Sequence, residues 1–324
     1  MCLYPKIIDN KKYKPNNKNG FCPPAPPTDP RALYVPVGCG RCIECRKQKA
    51  NNWKIRLNEE IRHNNKATFV TLTFAEESLL NIKKKINKEK DHSYEVDNEI
   101  ASYAVRHFTE LWRKHHKKTV RHWLITELGH NGTERIHLHG LIWTEKPEEI
   151  KKIWKYGYIF LGKYVNEQTI NYIAKYVTKT DTMHKEYNSK IFTSKGLGAK
   201  YLERNDSLKN EFKDTETNEL YRTRKGTKLA LPTYYRNKLW TEDERERLWL
   251  NRLDKNERYV LGIKIDLNHP EGDNHYYSAL QEARIFNKMW GFGDDTKNWD
   301  LKRYEEKRKK LKQKEYISKI KNAK

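Results

Sequence analysis

The chain has 324 residues, with 66 Lys plus Arg against 43 Asp plus Glu and a formal charge of +23. No stretch approaches the roughly 18 apolar residues of a membrane span, the first residues carry no apolar leader, and five cysteines, an odd number, do not read as a secreted disulfide framework. An integral membrane protein and a disulfide-stapled one are excluded. The expectation is an intracellular protein of one large or two small domains whose partner is a polyanion, nucleic acid above all, because so much like charge repels itself.

The first fifty residues stand apart. Six of the eleven prolines lie between Pro23 and Pro36, and all five cysteines between Cys2 and Cys45, which predicts an irregular segment unable to build a core by itself. Residues 43–63 read as a helix. Residues 67–74 alternate and are β-branched, as in a strand. A charged insertion at 83–97 predicts a loop or an exposed helix. Ile100, Tyr103, Ala104, His107, Phe108, Leu111 and Trp112 then trace the stripe of an amphipathic helix. Residues 121–129 and 134–143 form a hairpin around Asn131-Gly132. A short helix follows Pro147, then a strand over 156–164 and a helix over 166–180 capped by Asn166. Strands joined partly by a hairpin and partly through helices give an α+β fold, an antiparallel sheet flanked by helices. Beyond it residues 193–198 read as a flexible basic loop and 242–252 as a charged helix. Residues 301–324, with eleven Lys or Arg against three Glu, read as a solvated helix or disordered arm. The division is 1–50, Cys/Pro-rich; 51–200, the α+β domain; and 201–324, a basic, largely helical extension.

His137-Leu138-His139 sits in the second hairpin strand, where period-two alternation turns both imidazoles to one face. Glu127 on the partner strand reaches that face only in one register. A strict two-residue Asn-Gly turn pairs Thr126 with His137 and points Glu127 away. A loop of odd count centred on Gly132, or a bulge at Gly129, pairs Glu127 with His137, and this is the expected arrangement. Two imidazoles and a carboxylate suit Mg²⁺ or Mn²⁺ bound to substrate phosphate and tolerate Zn²⁺. On the last helix of the domain, Tyr172 and Tyr176 share a face at i, i+4 with Lys179 just beyond. A phenol ionises near pH 10, so nearby cations or a metal-bound phosphate would be needed to make it a nucleophile.

In this order the motifs resemble the HUH endonucleases that initiate rolling-circle replication. They are Phe69-Val70-Thr71-Leu72-Thr73-Phe74, His137-Leu138-His139-Gly140, and Tyr172-x-x-x-Tyr176-x-x-Lys179. The chain resembles more closely the initiators of small single-stranded DNA phages of the gokushovirus branch of Microviridae, through Gly38-Cys39-Gly40-Arg41-Cys42-Ile43-Glu44-Cys45-Arg46, Ser194-Lys195-Gly196-Leu197-Gly198 and Leu231-Pro232-Thr233-Tyr234-Tyr235. One departure is that the Ser194–Gly198 loop lacks the proline associated with that family. The resemblance implies an RRM-like, ferredoxin-like core and a metal-dependent nickase of single-stranded origin DNA. Tyr176 would be the first nucleophile, Tyr172 the second, and Lys179 a phosphate-binding or phenol-stabilising cation, with His137, His139 and Glu127 holding Mg²⁺ or Mn²⁺. It further implies a 5′-phosphotyrosine link, a free 3′-hydroxyl extended by host polymerase, recruitment of a host helicase, and action in the cytoplasm of a host bacterium. A plasmid initiator, relaxase or transposase would share these motifs.

Cys39, Cys42 and Cys45 form a tight cluster that a fourth thiol would complete as a structural zinc site. Cys22 or Cys2 could supply it, and Cys22 is placed with the three here. Basic runs at 83–85 and 113–118 and in the tail could neutralise phosphates, and Trp112, Trp123, Trp143 and Trp154 could stack bases, though core packing is the commoner fate of such residues. The competing reading is a zinc-dependent, non-catalytic nucleic-acid binder in which His-x-His is incidental.

Overall fold

A computed structural model of the chain describes residues 2–91, 93–129, 134–180, 184 and 187–293. The Asn131-Gly132 turn and the basic tail lie outside the described residues. Strands β1 (Lys6–Asp9) and β2 (Tyr34–Val37) pair antiparallel. In an isolated two-stranded ribbon, Pro36 leaves no central ladder broken. Helix α1 (Ile43–His63) begins immediately after the clustered cysteines.

The chain divides into two compact units, Met1–Trp53 with Tyr201–Thr296, and Lys54–Lys200. In the second, β3 (Ala67–Leu72) is followed by α2 (Glu76–Lys85), α3 (Tyr94–His116), β4 (Arg121–Leu128), β5 (Ile136–Trp143), α4 (Glu148–Ile153), β6 (Ile159–Gly162), α5 (Glu167–Thr178) and β7 (Ile191–Thr193). Five strands form one antiparallel sheet in the order β6-β3-β5-β4-β7, so the α+β expectation holds. One sheet face, with Val70, Leu72, Leu138 and Ile142, packs on Ile100, Ala104, Phe108 and Trp112 of α3 and on Ile150 and Ile153 of α4. Each large side chain so buried contributes about 1.5–3 kcal/mol, and this layer leaves the opposite face of β3 and β5 free to carry polar groups. Gly140 follows from the tightness of the β4–β5 pair: a Cβ there would lie 2.0 Å from the Trp123 carbonyl oxygen.

Several details depart from the sequence reading. The insertion after Leu80 is not wholly exposed. Ile82 is buried in the sheet core, and Lys83 is buried too, its ammonium donating to the Asp91 carbonyl oxygen at 3.1 Å. Lys83 is therefore not a phosphate-binding surface cation. Trp112, Trp123, Trp143 and Trp154 are all buried and stack no bases. The basic loop is anchored at both ends. Ile191–Thr193 extends the sheet along β4, Leu197 is fully buried, Gly198 N–H donates to Glu60 Oε2 at 2.8 Å, and Arg121 bridges Glu60 and the Gly196 carbonyl. Long-range partners of this kind carry no local periodicity, so a segment of Gly, Ser and Lys reads as mobile until the fold supplies them.

The first unit resumes with α6 (Asn205–Leu208), the ribbon β8 (Leu220–Arg222) and β9 (Lys228–Ala230), α7 (Thr233–Leu239), α8 (Glu242–Asp254), the ribbon β10 (Glu257–Val260) and β11 (Ile263–Asp266), and α9 (Gly272–Met289). Leu3, Cys42 and Ile43 share a core with Val260, Ile265, Leu280 and Ala283. The proline-rich start thus gains the apolar partners it lacks from residues more than two hundred positions away. Among the described residues no helix is long and apolar enough to cross a membrane.

Candidate active site

Pairing in the hairpin decides the site. Leu128 pairs with Ile136 and Glu127 with His137, which is the register of an odd loop centred on Gly132. Directly paired residues share a face, so Glu127, His137 and His139 all project from the sheet face opposite α3, while Leu138 fills the core beneath. One ligand atom from each of the three lies within 4.8 Å of the others. Glu127 Oε2 stands 2.8 Å from His139 Nε2 and 3.4 Å from His137 Nε2.

The second nitrogen of each ring fixes its direction. His137 Nδ1 lies 3.1 Å from the Arg135 carbonyl oxygen. A carbonyl only accepts, so Nδ1 carries the proton and Nε2 presents its lone pair. His139 Nδ1 pairs with Thr71 Oγ1 at 3.1 Å; Thr71 is held opposite His139 by the β3–β5 register. Metal-binding histidines are oriented in this manner. His139 Nε2 is buried without a hydrogen bond despite the nearby carboxylate, an arrangement that a cation shared with Glu127 satisfies. The donor set therefore fits a divalent ion. Burial alone would raise the Glu127 carboxyl, but His137, His139 and Lys179 around it hold it well below the usual carboxylate range.

Helix α5 brings the phenols to this face. Asn166 caps it, accepting from Thr169 N–H at 3.0 Å while Thr169 Oγ1 accepts from Asn166 N–H, and Ile170, Ile173 and Val177 bury its inner side. The ring of Tyr176 stacks on His139, 4.5 Å between centroids and 9° from parallel. The two hydroxyls, Tyr172 Oη and Tyr176 Oη, are 2.6 Å apart. Lys179 is the C-cap residue rather than part of the helix, and its ammonium bonds Glu127 and lies 5.8 Å from the Tyr176 ring centre. A cavity of about 20 Å³ borders Glu127, Tyr176 and Lys179, room for one water or ion. Burial, the bond with Tyr172 and the Glu127 charge push the Tyr176 phenol above its ordinary value. Without added positive charge it is a weak nucleophile.

Aromatic residues not singled out in the sequence surround this centre. Phe160 lies opposite Thr71 on edge strand β6, and its ring meets Phe69 edge-on at 6.3 Å, as does Tyr172 at 6.1 Å. Tyr158, Phe160, Tyr164 and Tyr172 are exposed, and an open groove of about 330 Å³ runs between Phe69, Gly162, Tyr164, Gln168, Thr169 and Tyr172. The only sequence signal for them was the run of Tyr and Phe in residues 156–164, which period-two reasoning could not tell from a buried strand.

The cysteines gather separately. Cys2, Cys39, Cys42 and Cys45 place their sulfurs within 4.8 Å of one another, whereas Cys22 is exposed and outside the group. The fourth thiol is therefore Cys2 and not Cys22: β1 pairs with β2 and carries the chain start to the turn before α1.

Residues 67–181 match a family model of the viral Replication-associated protein ORF2, a stretch that contains Glu127, His137, His139, Tyr172, Tyr176 and Lys179 and excludes every cysteine. Over 239 residues the chain is 28% identical to the Replication-associated protein ORF2 of Spiroplasma virus 4, covering 64% of this chain and 68% of that protein. No solved structure matches. The chain is thus similar to a viral replication-associated protein.

Proposed function

We propose that the protein is an HUH-type, metal-dependent nickase of single-stranded DNA that initiates and terminates rolling-circle replication of a small Microviridae-like phage. The observation that carries the reading is the flat stacking of Tyr176 on His139, which sets a nucleophile-bearing ring against a ligand of a two-histidine, one-carboxylate group. The family match over residues 67–181 and the charge of +23 support it.

Glu127, His137 and His139 would hold Mg²⁺ or Mn²⁺, which when bound supplies Lewis-acid polarisation of the scissile phosphate and positive charge beside the phenol. Tyr176 Oη forms the new bond to phosphorus, the bond from phosphorus to the 3′ oxygen breaks, and that oxygen leaves and takes up a proton as a free 3′-hydroxyl. The half-exposed Tyr172 hydroxyl, 2.6 Å from Tyr176 Oη, offers the phenol's proton a path to water. Lys179, released from Glu127 when a cation takes its place, neutralises phosphate charge. Tyr172 acts in the second transfer, which closes the displaced strand. Exposed Tyr158, Phe160 and Tyr164 stack unpaired bases beside the cut. Host helicase and polymerase complete the cycle.

The test is incubation with a single-stranded oligonucleotide library and Mn²⁺, read as a covalent protein–DNA adduct on a denaturing gel. The wild-type chain forms the adduct, Tyr176→Phe does not, and Tyr172→Phe still makes the first nick but does not rejoin. Normal adduct formation by Tyr176→Phe would reverse the roles of the two phenols. No adduct with any metal or sequence would leave a non-catalytic binder.

A further inference from the structure

We infer that Cys2, Cys39, Cys42 and Cys45 bind one Zn²⁺ as a closed, structural tetrathiolate site that fastens the start of the chain to the turn before α1. The inference does not depend on the nickase reading, since none of these residues belongs to that site.

Geometry argues for a single ion. Zinc–sulfur bonds of about 2.3 Å in a tetrahedron put sulfurs about 3.8 Å apart, and Cys42 Sγ lies 3.8 Å from Cys2 Sγ. All four sulfurs fall within 4.8 Å, too close to surround a multi-iron cluster and suited to one tetrahedral ion.

The surroundings are those of thiolates. Backbone N–H groups of Tyr4 and Cys39 donate to Cys2 Sγ at 3.3 and 3.2 Å, and that of Cys42 donates to Cys39 Sγ at 3.3 Å. Cys42 precedes the first residue of α1 and Cys45 lies in its first turn, where the positive end of the helix dipole favours negative sulfur. Gly38 has to be a glycine for the cluster to close, since a Cβ there would stand 3.0 Å from Cys45 Sγ and 3.7 Å from Cys2 Cβ. Four protein sulfurs leave no open position, which makes the ion structural rather than catalytic.

The ion would add a covalent-strength link to polar contacts already in place. Arg284 Nε of α9 donates to the Leu3 carbonyl at 2.9 Å, and Asn287 Oδ1 accepts from Ile43 N–H at 2.9 Å. Cys2 and Cys39 are 37 positions apart, so ligation also closes a long loop whose proline-rich interior has little core of its own.

The experiment is elemental analysis of the purified full-length chain. One zinc per chain is expected, released in proportion as p-hydroxymercuribenzoate titrates four thiols. Cys42→Ser should hold less than about a tenth of the wild-type zinc, whereas Cys22→Ser and His137→Ala/His139→Ala should keep all of it. Should Cys42→Ser fail to accumulate, wild-type protein grown with Co²⁺ gives the answer, since tetrahedral thiolate coordination produces intense sulfur-to-cobalt charge-transfer bands. A metal-free wild-type chain with two of the four cysteines in a disulfide would overturn the inference. Zinc that leaves with the histidines instead of the thiols, or stoichiometric iron in its place, would overturn it as well.

Discussion

The molecule holds two clusters of ligating side chains, and they differ in how the chain assembles them. The thiol group draws three members from a seven-residue stretch and imports only Cys2 from afar. The sheet group takes Glu127 from one strand and the two histidines from the next, and its neighbours Thr71 and Tyr176 come from a third strand and a helix. Sulfur donors with no remaining vacancy suit a soft, resident ion that holds structure. A carboxylate and two imidazoles, beside a small cavity and exposed phenols, suit a harder ion that meets phosphate. A metal can thus support folding in one unit and chemistry in the other, and the two roles should separate by experiment.

The widest separation is expected from His139→Ala. Adduct formation should fall by about a hundredfold or more, because Lewis-acid stabilisation is worth several kcal/mol, while zinc content and melting temperature stay near wild type. Equal losses of activity and zinc would erase the distinction between the clusters. Next comes EDTA: it should stop nicking, Mn²⁺ should restore it, and thiol-bound zinc measured on the same sample should not change. Glu60→Ala is a control remote from both groups. It strips partners from Arg121 and from Gly198 N–H, and denaturant unfolding should show a loss of about 3 kcal/mol with Mn²⁺ binding retained. The smallest change is Thr71→Val, which frees the His139 ring to turn and should weaken Mn²⁺ by about tenfold in calorimetry. Unchanged affinity would mean that Thr71 does not orient the ligand.

Local spacing made half of each cluster legible. His137 and His139 share a face by alternation, Tyr172 and Tyr176 by helical periodicity, and Cys39, Cys42 and Cys45 lie too close in sequence to be scattered. Glu127 required a register, which the parity of an Asn-Gly loop left between two choices. Cys2 and Cys22 could not be told apart because only the β1–β2 pairing carries one of them to the site. The exposed ring of Phe160 was hidden for another reason: a Tyr- and Phe-rich strand reads the same at an edge as in a core, and only the order β6-β3-β5-β4-β7 puts β6 on the rim. Propensity misjudged Lys83 and residues 194–198, whose order comes from partners distant in sequence.

The placement of Lys179 has a mechanical consequence. Tyr176 stands inside the hydrogen-bonded ladder of α5, whereas Lys179 sits where that ladder stops, its N–H closing the last turn on the Lys175 carbonyl at 2.7 Å. The attacking oxygen is thereby mounted on a stiff post. The cation hangs from the post's free end, so it can trade a carboxylate for an incoming anion without unwinding a single turn.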